Sequence, residues 1–265
     1  MSVLTTYASQ AARDSAAPAA SNTGLCIFRT DTKAIEVSDG TDYLSYNNDG
    51  VVYEYPTNTY SIDLDGSSDY VDLSAAASLL NSQTVVSMSF WYYADGYGIP
   101  VGARNGNNDA YAFWSFDATN FYWVVRNGGS QTITASNPAL NQWVHVAGVK
   151  DGTSGTLYLT PAGGSTTVTT GSTTGTMSST AGNTFYVGRG SFGNVYFNGK
   201  VDEVAVWNRA ISSSEVADII NNKRYISPEA LWRLENNADA TIGGSGFNGT
   251  NNGGTFVSGA GNTPY

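Results

Sequence analysis

Short apolar runs separated by turn-forming residues dominate the chain from residue 58 to residue 210. Gly, Asn, Asp and Ser interrupt these runs at intervals of roughly 8–12 residues, the spacing typical of a β-sandwich. One segment has a helical pattern instead. Ser212 and Glu215 are spaced as a capping box, and the apolar residues that follow share one face of a helix over 213–222. The pattern therefore predicts an all-β domain followed by one short helix.

The N-terminal part of the chain has a different pattern. It contains a predicted β-meander, whose three short strands cover residues 25–29, 34–38 and 43–46. A meander of this size cannot bury both of its faces by itself. We therefore expect residues 1–56 to be a separate segment, which packs on the sandwich of residues 57–265 or on another chain.

Six segments resemble, in the right order, parts of laminin-G-like, concanavalin A-like domains: 62–73, 86–92, 142–149, 156–159, 185–189 and 199–212. The resemblance covers residues 60–222 and includes the Gly-Lys-Val-Asp-Glu-Val strand that precedes the predicted helix. It implies a two-sheet antiparallel jelly-roll sandwich. This fold mostly binds carbohydrate or protein surfaces, and the fold alone does not imply catalysis.

A further resemblance lies after the predicted helix. Residues 230–234 and 244–250 are similar to the two strands that normally open this family's domain. They either fold back as the missing first strands of a permuted sandwich or begin a truncated second copy. We favour the first alternative, because a lone half-domain would leave apolar edges exposed. It predicts that Leu231, Trp232 and Leu234 are buried.

The meander and the Ala-Ala-Pro-Ala before it resemble a small module of bacteriophage fibres and virion appendages. The resemblance implies a virion structural protein of the tail-fibre or capsid-decoration type, assembled in the host cytoplasm and exposed on the particle surface. Residues 1–56 would then bind other virion proteins and sister chains of a homo-oligomer. The sandwich would face outward.

Charge and apolar content restrict the partners. Twelve basic and 22 acidic residues give the 265-residue chain a net charge of −10. Nucleic-acid binding is not expected, because phosphates require Lys and Arg.

No apolar run approaches the roughly 20 residues of a membrane-spanning helix. Residues 1–20 lack the basic start and apolar centre of a secretory signal. Cys26 is the single cysteine, so no intramolecular disulfide is expected.

Catalysis is not expected from the carboxylates of the sequence. A retaining glycosidase needs two carboxyl groups roughly 5 Å apart on either side of the scissile bond. The nearest candidates, Asp202 and Glu203, are neighbours in a predicted strand, so their side chains should point to opposite faces. His145 is the single histidine and is interpreted as a structural residue of a strand.

Calcium is the candidate metal. Several aspartates surround a Gly-Ser-Ser turn, and one from another strand could approach them: Asp65, Asp69, Asp72 and Asp202. Calcium binds several carboxylate and carbonyl oxygens in a loop. The alternative is that these aspartates form turns.

Aromatic residues are dense between residues 91 and 123, and those that do not face the core could stack on sugar rings. Loops at one end of a sandwich often carry binding residues. The predicted glycan-contact residues are Asn105, Asn107, Asn108, Asp109, Tyr122 and Asn127. We expect non-catalytic binding of a neutral host-surface glycan, or stabilisation of the particle. The alternative is a carbohydrate-binding module outside a virus, and a glycoside hydrolase is favoured less.

Overall fold

The computed structural model describes residues 58–104, 110–115, 117–127, 131–177, 184–190, 195–259, 261 and 263–264, and the backbone of five strands before residue 58. Side chains are described from residue 58 onward, except those of Arg104, Ala110 and Trp114. Contacts divide the chain into two compact units. The first comprises residues 1–57 with 212–227, and the second comprises residues 58–211 with 228–265.

The first unit contains a six-stranded sheet. In sheet order its strands are β1 (Thr5–Tyr7), β2 (Cys26–Arg29), β3 (Ala34–Ser38), β4 (Tyr43–Asn47), β5 (Gly50–Glu54) and β18 (Arg224–Ile226). The strands β2, β3 and β4 correspond to the predicted meander. The late strand β18 pairs antiparallel with β5, which groups a segment from beyond residue 211 with the N-terminal part of the chain.

Helix α1 (Ser213–Asn222) also belongs to the first unit, and the sequence pattern predicts its bounds correctly. Both hydrogen bonds of its capping box are formed. The Glu215 backbone N–H donates to Ser212 Oγ at 3.2 Å, and the Ser212 backbone N–H donates to the Glu215 carboxylate at 2.8 Å. Among the described residues, no helix is long and apolar enough to cross a membrane.

The second unit is a sandwich of two antiparallel sheets, as the sequence predicts. The seven-stranded sheet consists, in sheet order, of β12 (Thr132–Ser136), β11 (Asn120–Arg126), β10 (Ala110–Ser115), β9 (Gly98–Arg104), β16 (Thr184–Val187), β7 (Tyr70–Asp72) and β20 (Thr250–Asn252). The eight-stranded sheet has the order β15 (Thr167–Ser172), β14 (Ser154–Pro161), β13 (Trp143–Asp151), β8 (Val85–Ala94), β17 (Asn198–Trp207), β6 (Tyr60–Asp65) and β21 (Thr255–Ser258), with β19 (Ala230–Trp232) paired to β17.

Aromatic rings from both sheets meet in the core of the sandwich. Phe113 and Trp123 stack with an interplanar angle of 5°, and the Phe90 ring meets Phe113 edge-on at a centroid distance of 5.0 Å. This packing requires a glycine at position 148, because a Cβ atom there would lie 2.7 Å from the Trp123 indole. The Gly148 carbonyl also accepts a hydrogen bond from Tyr111 Oη at 2.9 Å.

The C-terminal segment completes both sheets. Strand β20 pairs with β7, β21 pairs with β6, and β19 pairs with β17. The predicted burial of Leu231, Trp232 and Leu234 is confirmed, since each is at most 1 % exposed. Trp232 Nε1 donates to the Phe247 carbonyl at 2.8 Å, and its ring meets Phe185 edge-on.

The central strands of the eight-stranded sheet are buried on both faces. Phe90 points into the sandwich core, yet its neighbour Trp91 on the opposite face is only 2 % exposed. His145 lies beside Trp91 in the register of β13 and β8, with the two rings 5.1 Å apart. Neither ring nitrogen of His145 has a hydrogen-bond partner in the described part of the chain, and burial lowers the pKa of this histidine to about 3. His145 is therefore neutral in the folded protein near pH 7.

Replacing Trp232 should strongly destabilise the sandwich. We expect Trp232→Ala to lower the free energy of unfolding by about 3–5 kcal/mol, because it leaves a cavity between the sheets and an unpaired carbonyl. Urea denaturation measures this change. Tyr97→Ala is the matched control, since Tyr97 is 41 % exposed and such surface changes stay within about 0.5 kcal/mol. Equal stability of the two variants would contradict the role assigned to the C-terminal strands.

The buried histidine should make stability fall in acid. Its folded-state pKa lies below the unfolded value of 6.5, so its contribution is complete above pH 6.5 and is lost as the pH falls toward 3. Between pH 7 and pH 5 this loss amounts to about 2 kcal/mol. His145→Phe has no titratable group and should lose correspondingly less stability over that range in urea titrations. Parallel pH profiles of the two proteins would contradict a neutral buried histidine.

Candidate functional site

Of the predicted glycan-contact residues, the structure describes Tyr122 and Asn127; Asn105, Asn107, Asn108 and Asp109 lie outside the described residues. Tyr122 is half-buried in β11 and faces outward, because its neighbours in the strand belong to the core. Asn127 is exposed just after the end of the same strand, and its Nδ2 donates to the Thr176 carbonyl at 2.9 Å.

Tyr122 and Asn127 do not form one compact site. Five residues of an extended strand separate their Cα atoms by roughly 16 Å. A single sugar ring therefore cannot contact both side chains.

The outer face of the seven-stranded sheet carries further tyrosines, which the sequence analysis did not select. Tyr70 in β7 and Tyr186 in β16 are half-buried and alternate with core residues such as Val71. The register continues from Tyr186 across Gly102 and Ala112 to β11, which places Tyr186 and Tyr122 on the same face. The two strands are three spacings apart, or roughly 14 Å. The alternation of Tyr with Val and Phe was the available sequence signal.

A basic side chain lies among these tyrosines. The Arg189 Cζ atom is 4.8 Å from the ring centroid of Tyr70, 5.3 Å from that of Tyr186 and 5.5 Å from that of Tyr196. Arg189 follows β16 and faces Tyr196 across an antiparallel bridge. We call these four residues the arginine–tyrosine cluster.

The four predicted calcium ligands are distributed over separate environments. The Asp65 carboxylate accepts hydrogen bonds within its own turn, and bonds from the Ser67 side chain and the Ser68 backbone lower its pKa. Asp72 Oδ1 accepts from the Ser74 backbone N–H at 2.8 Å, and Asp202 is buried.

Asp65 and Asp69 instead share an open cleft of about 330 Å³ with Asp63 and Asp95. Within the described ranges, no group of three or more His, Cys, Asp or Glu side chains is placed to hold a metal ion. Of the four predicted ligands, Asp65 and Asp69 line this cleft, whereas Asp72 and Asp202 are not among its lining residues. Calcium binding itself stays a prediction.

The expected geometry of Asp202 and Glu203 is wrong. The register between β17 and β8 shifts after Asp202, so that Glu203 and Val204 both stand opposite Phe90, and Glu203 adopts a φ of +52°. This β-bulge breaks the alternation of side chains. As a result, Asn58 Nδ2 donates to Asp202 Oδ2 at 2.6 Å and to Glu203 Oε1 at 3.1 Å. The two carboxyl groups therefore lie on one side of the strand.

This carboxyl pair is nevertheless closed to solvent. Asp202 and Glu203 are both 0 % exposed. Arg233 Nε binds Glu203 Oε1 at 3.2 Å, and the Arg233 guanidinium also contacts Glu235. Burial, and then the nearby charge of Glu203, raise the pKa of Asp202 well above its usual range. In this arrangement both carboxyl groups belong to a buried structural network.

Solved structures with a similar fold come from proteins of several kinds. A candidate carbohydrate-binding protein from Bacteroides ovatus ATCC 8483 is 17% identical, with a TM-score of 0.55, over 76% of this chain and 60% of its own. Domains LG4-5 of the mouse laminin alpha1 chain are 16% identical, with a TM-score of 0.44, over 68% and 51%. Tailspike protein 2 of an Escherichia coli O157:H7 bacteriophage, CAB120, is 12% identical, with a TM-score of 0.39, over 63% and 28%. The match thus spans only part of each of these chains, and no curated protein sequence matches.

The family itself is identified from the sequence. The laminin-G type profile described as the concanavalin A-like lectin/glucanases superfamily matches residues 65–217, which is more than half of the chain. The two antiparallel sheets described above agree with this match. The chain therefore belongs to the concanavalin A-like lectin/glucanases superfamily.

Proposed function

We propose that this protein is a non-catalytic carbohydrate-binding component of a virus particle, of the fibre or capsid-decoration type. The sandwich would recognise a host-surface glycan through the outer face of its seven-stranded sheet. Residues 1–57 would attach the chain to other virion proteins or to sister chains.

The observation that carries the proposal is the composition of this outer face. Half-buried tyrosines project from it at Tyr70, Tyr122 and Tyr186, while exposed Asn127 supplies an amide beside β11. A tyrosine offers a sugar ring a flat apolar surface and a polar hydroxyl group. The spacing of roughly 14 Å between the strands of Tyr122 and Tyr186 suits an oligosaccharide better than a monosaccharide.

The position of the carboxylates supports binding without turnover. Hydrolysis by this type of chemistry needs two carboxyl groups that contact the scissile bond. Asp202 and Glu203 are close together, but they are engaged by Asn58 and Arg233 in the interior.

The virion part of the proposal rests on the N-terminal unit. Its meander is the segment that resembles phage appendage modules, and its six-stranded sheet belongs to a contact unit separate from the sandwich. A separate unit of this kind is suited to attachment, because it can bind a partner while the sandwich keeps its own core.

Removing the tyrosine of β11 should weaken glycan binding. We expect Tyr122→Ala to reduce affinity by about three- to tenfold, since a stacking contact contributes about 0.5–1.5 kcal/mol. Tyr122→Phe should retain most of the affinity because it keeps the ring. A glycan array identifies the ligand, and calorimetry with the best neutral oligosaccharide measures the change.

Tyr97→Ala is the control for a general effect of removing an exposed tyrosine. Asn127→Ala, tested alone and together with Tyr122→Ala, shows whether one oligosaccharide spans both positions. Unchanged binding by the double variant would refute this assignment of the binding surface. A wild-type protein that binds no glycan would favour a purely structural decoration role.

Deleting residues 1–56 should abolish incorporation into particles and leave the two-sheet sandwich folded. The deletion removes β5, the partner of β18, so the fragment's melting temperature is measured first. Immunogold electron microscopy then counts copies on the particle. The full-length Tyr122→Ala, Asn127→Ala variant should be incorporated normally. Normal copy number of the truncated chain would refute attachment through residues 1–56, and absence of the full-length chain from particles would favour a carbohydrate-binding module outside a virus.

A further inference from the structure

The arginine–tyrosine cluster contains a cation, Arg189, that has no acidic partner among the described residues. Within the described residues, Arg189 forms no ion pair, and its buried Nε has no hydrogen-bond acceptor. A guanidinium offers five N–H donors and accepts no hydrogen bond. Three aromatic rings stabilise its charge, but rings do not replace the acceptors that these donors need when they are removed from water.

Lys200 is a cation of the same sandwich that has both an aromatic contact and an acidic partner. Its Nζ lies 4.6 Å from the ring centroid of Tyr93, a contact comparable to those of Arg189. Asp95 then provides a carboxylate oxygen 3.9 Å away. The stacking geometry is common to both cations, so the difference between them is that no carboxylate of the described residues pairs with Arg189.

The acidic side chain opposite Tyr186 does not fill this role. Asp72 lies across from Tyr186 in the register of β7 and β16. Its Oδ1 instead accepts the Ser74 backbone N–H at 2.8 Å. Burial and the charge of Asp72 both raise the pKa of Tyr186, which keeps its hydroxyl group protonated and able to donate.

We propose that the arginine–tyrosine cluster binds a sugar residue that carries a carboxylate, such as a uronic or sialic acid. The carboxylate would take the open acceptor position at the guanidinium, whose planar fork matches a carboxylate in two parallel hydrogen bonds. The rings of Tyr70, Tyr186 and Tyr196 would contact the sugar ring. This inference rests on the proposed glycan-binding function and adds a charged subsite at one side of the same face.

The cluster lies on the same face of the seven-stranded sheet as Tyr122. Gly102 and Ala112 lie between Tyr186 and β11 in the register, and both are buried. A glycan that contacts Tyr122 with a neutral sugar would have to pass over these buried residues to place an acidic sugar at Arg189. The ligand class that fits both ends is an oligosaccharide with at least one acidic residue.

The test compares matched glycans on the full-length protein. An array would carry neutral oligosaccharides beside their carboxylate-bearing counterparts, namely galactan with galacturonan oligomers and asialo with sialylated glycans. We expect the wild type to prefer the acidic member of at least one pair by about tenfold, the effect of a charge-assisted hydrogen bond. Arg189→Gln should remove this preference, so that the acidic and neutral members of the pair bind with equal affinity.

Two further variants keep the inference falsifiable. Arg189→Lys retains the charge near the rings but lacks the planar fork, so it should recover only part of the preference even if Arg189→Gln folds poorly. Lys200→Gln is the matched control and should keep the full preference. Equal binding of neutral and acidic members, or a preference that survives Arg189→Gln, would overturn the charged subsite while leaving neutral glycan recognition intact. A protein that binds no glycan would overturn both proposals.

Discussion

The β-bulge of β17 is the constraint on which the arrangement of the eight-stranded sheet depends. One edge of β17 pairs with β8 along most of its length. The other edge is shared, since residues 198–201 pair with β6 and residues 204–206 pair with β19. The bulge at Asp202 and Glu203 lies where one partner ends and the next begins. The bulge thus coincides with the exchange of partners on this edge.

Buried charges hold this junction together. Asn58 precedes β6 and contacts both carboxyl groups, while Arg233 follows β19 and contacts Glu203. The network thus connects Asn58, beside β6, and Arg233, beside β19, to the carboxyl groups of the bulge. Losing one member of a buried ion pair costs about 3–5 kcal/mol, because the other charge stays buried without compensation. The two carboxyl groups therefore stabilise the place where β17 changes its partner from β6 to β19. The superfamily also includes glucanases.

Local sequence signals were sufficient for most of the framework. The capping box at Ser212 and Glu215 specifies the start of α1, and the apolar pattern around Leu231 and Trp232 indicates that the C-terminal segment enters the core. The bulge could not be predicted, because nothing local distinguishes an Asp-Glu pair in a regular strand from one in which Glu203 has a positive φ. The two-sided burial of Trp91 and His145 depends on tertiary packing, which alternation along one strand does not encode.

The candidate site could be predicted only in part from the sequence, for a related reason. Sequence spacing brought Tyr122 and Asn127 together as parts of one loop region, but an extended strand separates them. Conversely, Tyr70 is far along the chain from Tyr186, Arg189 and Tyr196, and only the pairing of β7 with β16 brings it to them. A binding surface on a sheet face is composed of single residues from many strands, each flanked by core residues. Such a surface leaves no contiguous motif, so in this fold the strands are easier to predict than the ligand that they bind.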